Sequence, residues 1–158
     1  MLTVFLDLDG VLTTYSWVKQ FQKMSDKCPF DPRCVYWFNH LCDEFDFNIV
    51  MNTAWIIDGD DFDIVRRQFE LEGIKKVPVD YVPTVFKLSG ASKTGTLLQY
   101  IETHNIDKNK ILVIDDLPFE FHNVLPRKSI YIVEDGWDKN GIDLYHYKNI
   151  KQRLEELK

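Results

Sequence analysis

The chain has 158 residues, 45% of them hydrophobic and 28% charged, which suits one folded domain with a core of its own. A formal net charge of −6 and an isoelectric point of about 5.2 exclude the broad basic face of a dedicated nucleic-acid binder, though not the capture of one terminal phosphate by local groups. No apolar run is long enough to span a bilayer, and the first six residues lead straight into Asp7 and Asp9 with no basic start, so a cytoplasmic protein without a membrane partner is expected.

In chain order, Leu2–Leu8 predicts a first strand, apolar on both faces. Thr13 to Pro29, with Tyr15, Trp17, Phe21 and Met24, breaks the pattern and reads as a small cap or lid insertion at about residues 13–30 of a single 1–158 domain. Its aromatics either pack the insertion or stack on a substrate base, with Lys19 and Lys23 adding positive charge in the second case. Asp31-Pro32 opens a helix with Val35, Phe38, Leu41, Cys42 and Phe45 as its apolar stripe. A second strand, Phe47–Asn52, precedes a helix over Asp60–Leu71 that Gly73 stops. Val77–Val82 predicts the third strand, Ser92–His104 a helix capped by Ser92, Lys110–Ile114 the fourth strand and Ser129–Val133 the fifth. A helix around Asn149–Leu157 follows. Strands alternating with helices imply a parallel α/β sheet, whose ligands sit outside the carboxyl ends of the strands.

The residues after those strands carry the chemistry. Asp7-Leu8-Asp9-Gly10 places two carboxylates where Gly10 lets the chain bend sharply, and two such acids need a cation or a shared proton. Mg²⁺, which favours carboxylate and phosphate oxygens, fits them. The second strand runs into Asn52-Thr53-Ala54-Trp55, a hydroxyl with turn amides for phosphate oxygens, and the fourth into Asp115-Asp116. Lys93 opens the third helix and supplies a cation, with Lys87 as its competitor. An acidic metal cradle, a phosphate clamp and a cation are the parts that phosphoryl transfer needs.

With Asp7 and Asp9, Thr53, Lys93 and Asp115-Asp116 in this order, the chain resembles the haloacid dehalogenase-like (HAD) superfamily. The resemblance implies a Rossmann-like five-stranded sheet of order 5-4-1-2-3. It implies a phosphomonoesterase in which Asp7 attacks phosphorus and Asp9 acts as acid and then base. Mg²⁺ would be held by Asp7, the Asp9 carbonyl and Asp116 or Asp115, while Thr53 with the Asn52 and Ala54 amides binds phosphate beside Lys93. Asp9 selects phosphate transfer over dehalogenation, since dehalogenases lack that acid. Ile130-Tyr131-Ile132-Val133, Asp135-Gly136 and Asn140-Gly141-Ile142 resemble the HAD domain of Swiss Army Knife RNA-repair proteins, which implies a nucleotide or a nucleic-acid terminal phosphate as substrate. Ile56 stands where many relatives have arginine, so no role of that arginine carries over.

Rival readings are another small phosphometabolite as substrate, or a phosphate-binding, receiver-like domain without turnover. A receiver keeps its phosphoacceptor on a middle strand, an order this chain does not follow. Gly90-Ala91-Ser92-Lys93-Thr94-Gly95-Thr96 lacks the Lys-Ser/Thr that a P-loop carries after its second glycine. Asp58-Gly59-Asp60-Asp61-Phe62-Asp63 fails the EF-hand ligand positions and reads as an acidic helix start. Cys28, Cys34 and Cys42 have no zinc spacing, and His40, His104, His122 and His146 share no ligand pattern.

Overall fold

The computed structural model describes residues 1–21, 30–83 and 92–158. Lys23, Met24, Cys28, Lys87 and Gly90 lie outside the described residues, as does the side chain of Phe21. The elements are β1 (Leu2–Leu6), α1 (Tyr15–Phe21), α2 (Pro32–Glu44), β2 (Phe47–Met51), α3 (Gly59–Leu71), β3 (Asp80–Tyr81), α4 (Lys93–Thr103), β4 (Ile111–Asp115), β5 (Ile130–Ile132) and α5 (Leu144–Leu157). The strands form one sheet in the order β3-β2-β1-β4-β5, with every pairing parallel. That is the expected order 5-4-1-2-3 counted from the opposite edge.

Alternation along the buried strands explains the layers. Val4 and Leu6 of β1, with Ile49, Met51, Leu112 and Ile114, pack on one face against α2, α3 and α5. Phe5, Val50, Ile111 and Val113 pack on the other face against Leu97, Tyr100 and Ile101 of α4. Helices α2, α3 and α4 begin where short polar side chains meet their free N–H groups, as α5 also does. Asp31 accepts from the Arg33 N–H, Asp58 from those of Asp60 and Asp61, and Ser92 from that of Gly95.

Most boundaries move by a residue or two from the sequence reading; β1, expected to Leu8, ends at Leu6, and three other shifts have clear causes. The edge strand β3 shrinks to Asp80–Tyr81, because Pro78 brings no N–H to a ladder. β4 runs one residue further, so Asp115 is part of the strand itself. α5 starts at Leu144, earlier than the apolar stripe indicates, because Asp143 caps it through the His146 N–H.

Candidate active site

The register of the central strands gathers the site. Leu6 pairs with Met51 on one side and with Ile114 on the other. The next residue of each strand therefore falls in one row, Asn52–Asp7–Asp115, across the carboxyl edge of the sheet. Two bonds fasten this row: the Asp7 N–H donates to the Ile114 carbonyl at 3.0 Å and the Asn52 N–H to the Leu6 carbonyl at 2.8 Å. Asp7, Asn52, Thr53 and Asp115 are all buried.

Lys93, the first residue of α4, is buried at the centre of this row. Its Nζ lies 2.6 Å from Asp115 Oδ2 and 3.4 Å from Asp7 Oδ2, and 4.8 Å from the centre of the Phe119 ring. The Thr94 hydroxyl donates to the Phe119 carbonyl, fixing a residue whose φ of 40° is strained for a side chain of that size. Both Asp115 oxygens are engaged: Oδ2 accepts from Lys93 and Oδ1 from the Leu117 N–H at 3.0 Å.

Asp7, Asp115 and Asp116 present carboxylate oxygens that all lie within 4.8 Å of one another. Burial, then the neighbouring Asp115 charge, pushes Asp7 up to about 7 despite the pull of Lys93. Burial likewise carries Asp115 and Asp116 up to about 6. Burial alone would lower Lys93, but Asp7 and Asp115 outweigh it and hold the ammonium charged. Three acids raised together mark a site short of positive charge, and hard carboxylate oxygens in such a group fit Mg²⁺. Among the described residues this is the one acidic, cysteine or histidine group of that kind.

Asp9 stands apart from that trio. Its Oδ2 accepts the Trp55 indole N–H at 3.0 Å, and its Oδ1 lies 3.3 Å from the Thr13 hydroxyl. Gly10 makes the turn between Asp9 and the loop beyond, at a φ of 70°. A Cβ at Gly10 would stand 2.5 Å from Asp116 Oδ2, and one at Gly136 would stand 1.9 Å from the Gly10 carbonyl oxygen. Gly10 thus lies against the Asp116 side chain on one side and the Gly136 backbone on the other. Two bonds complete the strap, Ile142 N–H to Val11 carbonyl at 3.0 Å and Tyr15 N–H to Trp137 carbonyl at 2.8 Å.

Of the other predicted residues, Thr53 accepts the Trp55 backbone N–H at 3.4 Å. The Asn52 Nδ2 is buried with no hydrogen-bond partner among the described residues, an open donor at the tip of β2. Tyr15 and Trp17 lie on α1. The Tyr15 ring sits 6.1 Å from that of Trp137, the Lys19 Nζ 5.9 Å from the Tyr15 ring, and the Trp17 N–H 3.3 Å from the Thr14 hydroxyl. A groove of about 540 Å³ opens beside Asp116, between Leu117, Pro118, Ile132, Glu134 and Trp137. A larger one, about 600 Å³, runs from Trp55 and Phe30 along Ile64, Arg67 and Leu71 of α3.

Sequence reasoning did not single out Trp55, Thr13, Phe119 or Gly136. Trp55 carried one usable signal, its place two residues after the phosphate-clamp threonine. The remaining motifs have structural uses. Asp58 caps α3, and Asp61 accepts the Ile57 N–H. Cys34 and Cys42 are buried thiols pushed up to about 12 by burial. His104 stacks on Tyr100 at 4.0 Å, and His146 bonds the Tyr131 hydroxyl at 2.8 Å.

A Rossmann-like sheet with acids at the tips of β1 and β4, a hydroxyl at β2 and a lysine entering α4 defines the HAD class of proteins. Residues 3–134 match the family described as the HAD domain in Swiss Army Knife RNA repair proteins, and the chain belongs to that family. No curated protein and no solved structure matches the chain. Among the described residues, no helix is long and apolar enough to cross a membrane.

Proposed function

We propose that the protein is a Mg²⁺-dependent phosphomonoesterase that works through a phosphorylated Asp7, on a nucleotide or on the terminal phosphate of a nucleic acid. The observation that carries the chemistry is the buried Lys93 ammonium, set between Asp115 and Asp7 beside a third acid. The substrate class rests on the family alone.

In the first step an Asp7 carboxylate oxygen bonds to phosphorus, and the bond from phosphorus to the ester oxygen breaks. The leaving oxygen keeps the electron pair and takes a proton from Asp9. In the second step Asp9 removes a proton from water, whose oxygen bonds to phosphorus. The acyl-phosphate bond then breaks, returning the Asp7 carboxylate and inorganic phosphate. Lys93 balances charge on Asp7 and the phosphoryl oxygens, while the Thr53 hydroxyl, the Asn52 amide and the Ala54 N–H hold those oxygens. Asp7, the Asp9 carbonyl and Asp116 are the residues to hold Mg²⁺. Asp115 is the less free of the β4 pair because Lys93 and the Leu117 N–H already occupy it. When bound, Mg²⁺ supplies positive charge against the phosphoryl oxygens. The cap expected at about residues 13–30 lies outside the described residues over 22–29; on its described part Tyr15, Trp17 and Lys19 are the residues to meet the ester's leaving group, and the protein works in the cytoplasm.

The test is Asp7→Asn, which keeps the size of the side chain and removes the nucleophile. Phosphate release from p-nitrophenyl phosphate in Mg²⁺ should vanish while the circular dichroism spectrum is kept. A folded variant with full turnover, or a wild type equally active in excess EDTA, refutes the mechanism. A screen of nucleoside monophosphates, 3′-phosphorylated oligonucleotides and sugar phosphates then identifies the substrate.

A further inference from the structure

Asp9 has to present one oxygen to the leaving group, yet nothing in its backbone holds the carboxylate there. It is half-buried, it precedes a glycine turn, and three other acids close by form the group suited to a cation. Two side chains hold the carboxylate: the Thr13 hydroxyl donates to Asp9 Oδ1 at 3.3 Å, and the indole of Trp55 donates to Oδ2 at the shorter 3.0 Å.

We infer that Trp55 is a positioning residue of the proposed reaction, holding the Asp9 carboxylate aimed for proton transfer. The inference rests on the phosphatase reading above. Trp55 suits the task because its ring is itself fixed. Its backbone N–H binds the Thr53 hydroxyl oxygen at 3.4 Å, and its ring packs against the main core cluster. The tip of β2 therefore supplies both a phosphate contact and the strut for the acid. An indole N–H is a donor only and has no lone pair to accept a proton. Trp55 consequently sets geometry and takes no part in a relay.

A positioning role differs from a structural one in its dependence on the leaving group. p-Nitrophenolate departs without a proton, whereas an alkoxide needs one from Asp9. In the whole chain with Mg²⁺, Trp55→Phe should slow single-turnover release of ethanol from ethyl phosphate by about 10- to 100-fold, part of the 10²–10⁴ that general acid catalysis contributes. Single-turnover release of p-nitrophenol from p-nitrophenyl phosphate, which precedes the Asp9-dependent attack of water common to both esters, should slow by no more than about threefold. Trp55→His, which offers a ring N–H, should recover part of the ethyl phosphate rate. On ethyl phosphate, Asp9→Asn combined with Trp55→Phe should be no slower than Asp9→Asn alone, because the strut has lost what it holds. Where Trp55→Phe does not fold, Trp55→Leu, which likewise offers no donor, is read in the same way.

Equal losses on both esters, or full additivity in the double variant, overturn the inference while leaving the phosphatase reading intact. A wild type inactive on both esters overturns the two together.

Discussion

Replacing Lys93 with methionine keeps an unbranched chain in the core and removes the one charge that Asp7 and Asp115 share. The Lys93, Asp7 and Asp115 side chains are exposed by 8% or less, so solvent screens the trio weakly. Stripping one partner from a buried pair costs about 3–5 kcal/mol, most of it the charge left behind. That cost depends on pH in a direction the acids fix. The folded protein holds protons on Asp7 up to about pH 7, and on Asp115 and Asp116 up to about pH 6. The unfolded chain releases them near pH 4. Without metal, stability should therefore fall as pH rises from about 4 to about 7. Lys93→Met should steepen that fall. In urea denaturation with EDTA, the variant should lose about 3–5 kcal/mol at pH 8. At pH 5 the acids are largely neutral, and the loss should shrink to about 1 kcal/mol, the scale of a missing hydrogen bond. Equal losses at both pH values would show that Lys93 is a packing residue and refute the electrostatic account.

Metal binding should follow the same titration: the apparent Mg²⁺ affinity, by isothermal calorimetry, should rise from pH 6 to pH 8 with release of protons, and a pH-independent affinity contradicts the acid cluster as the site. Gly136→Ala forces a Cβ onto the Gly10 carbonyl and should cost about 1–3 kcal/mol in thermal unfolding while also lowering turnover, because Gly10 carries Asp9 and backs Asp116. Asp58→Ala removes only the α3 cap, so a loss of about 1 kcal/mol with unchanged Mg²⁺ affinity is expected. A drop in affinity there would reinstate the 58–63 acids as a metal site.

The sheet and the acids were legible for one reason. Parallel strands covered on both faces need unbroken apolar runs, so a polar residue at the end of such a run marks the strand tip. Asp7, Asn52 and Asp115 all stand at that junction. Lys93 could be read because Ser92 announces a helix start. Trp55 could not, since its link to Asp9 joins two loops far apart in sequence and has no period. The seating of Gly136 on Gly10 is similarly silent, because a glycine in a turn reads the same whether or not a backbone presses against it. The early start of α5 was available in Asp143 but was masked by the exposed Leu144 and Tyr145, which break the apolar stripe.

The family match ends at residue 134, yet the site does not. Asp116 is raised by burial and by the neighbouring Asp7 charge, and the loop that faces it turns at Gly10, which has no side chain to wedge it. What presses these loops together comes from beyond the match: Gly136 against the Gly10 carbonyl, Trp137 accepting the Tyr15 N–H, and Ile142 donating to Val11. Cys34 extends the hold from α2, its thiol donating to the Asn140 carbonyl at 3.1 Å. The buried core can offset the cost of three crowded carboxylates, but it cannot set their spacing. That falls to a strap of backbone contacts in which any side chain at Gly136 would collide. The 135–142 segment therefore backs the acid cluster as firmly as the strand tips do, though it contributes none of that cluster's oxygens.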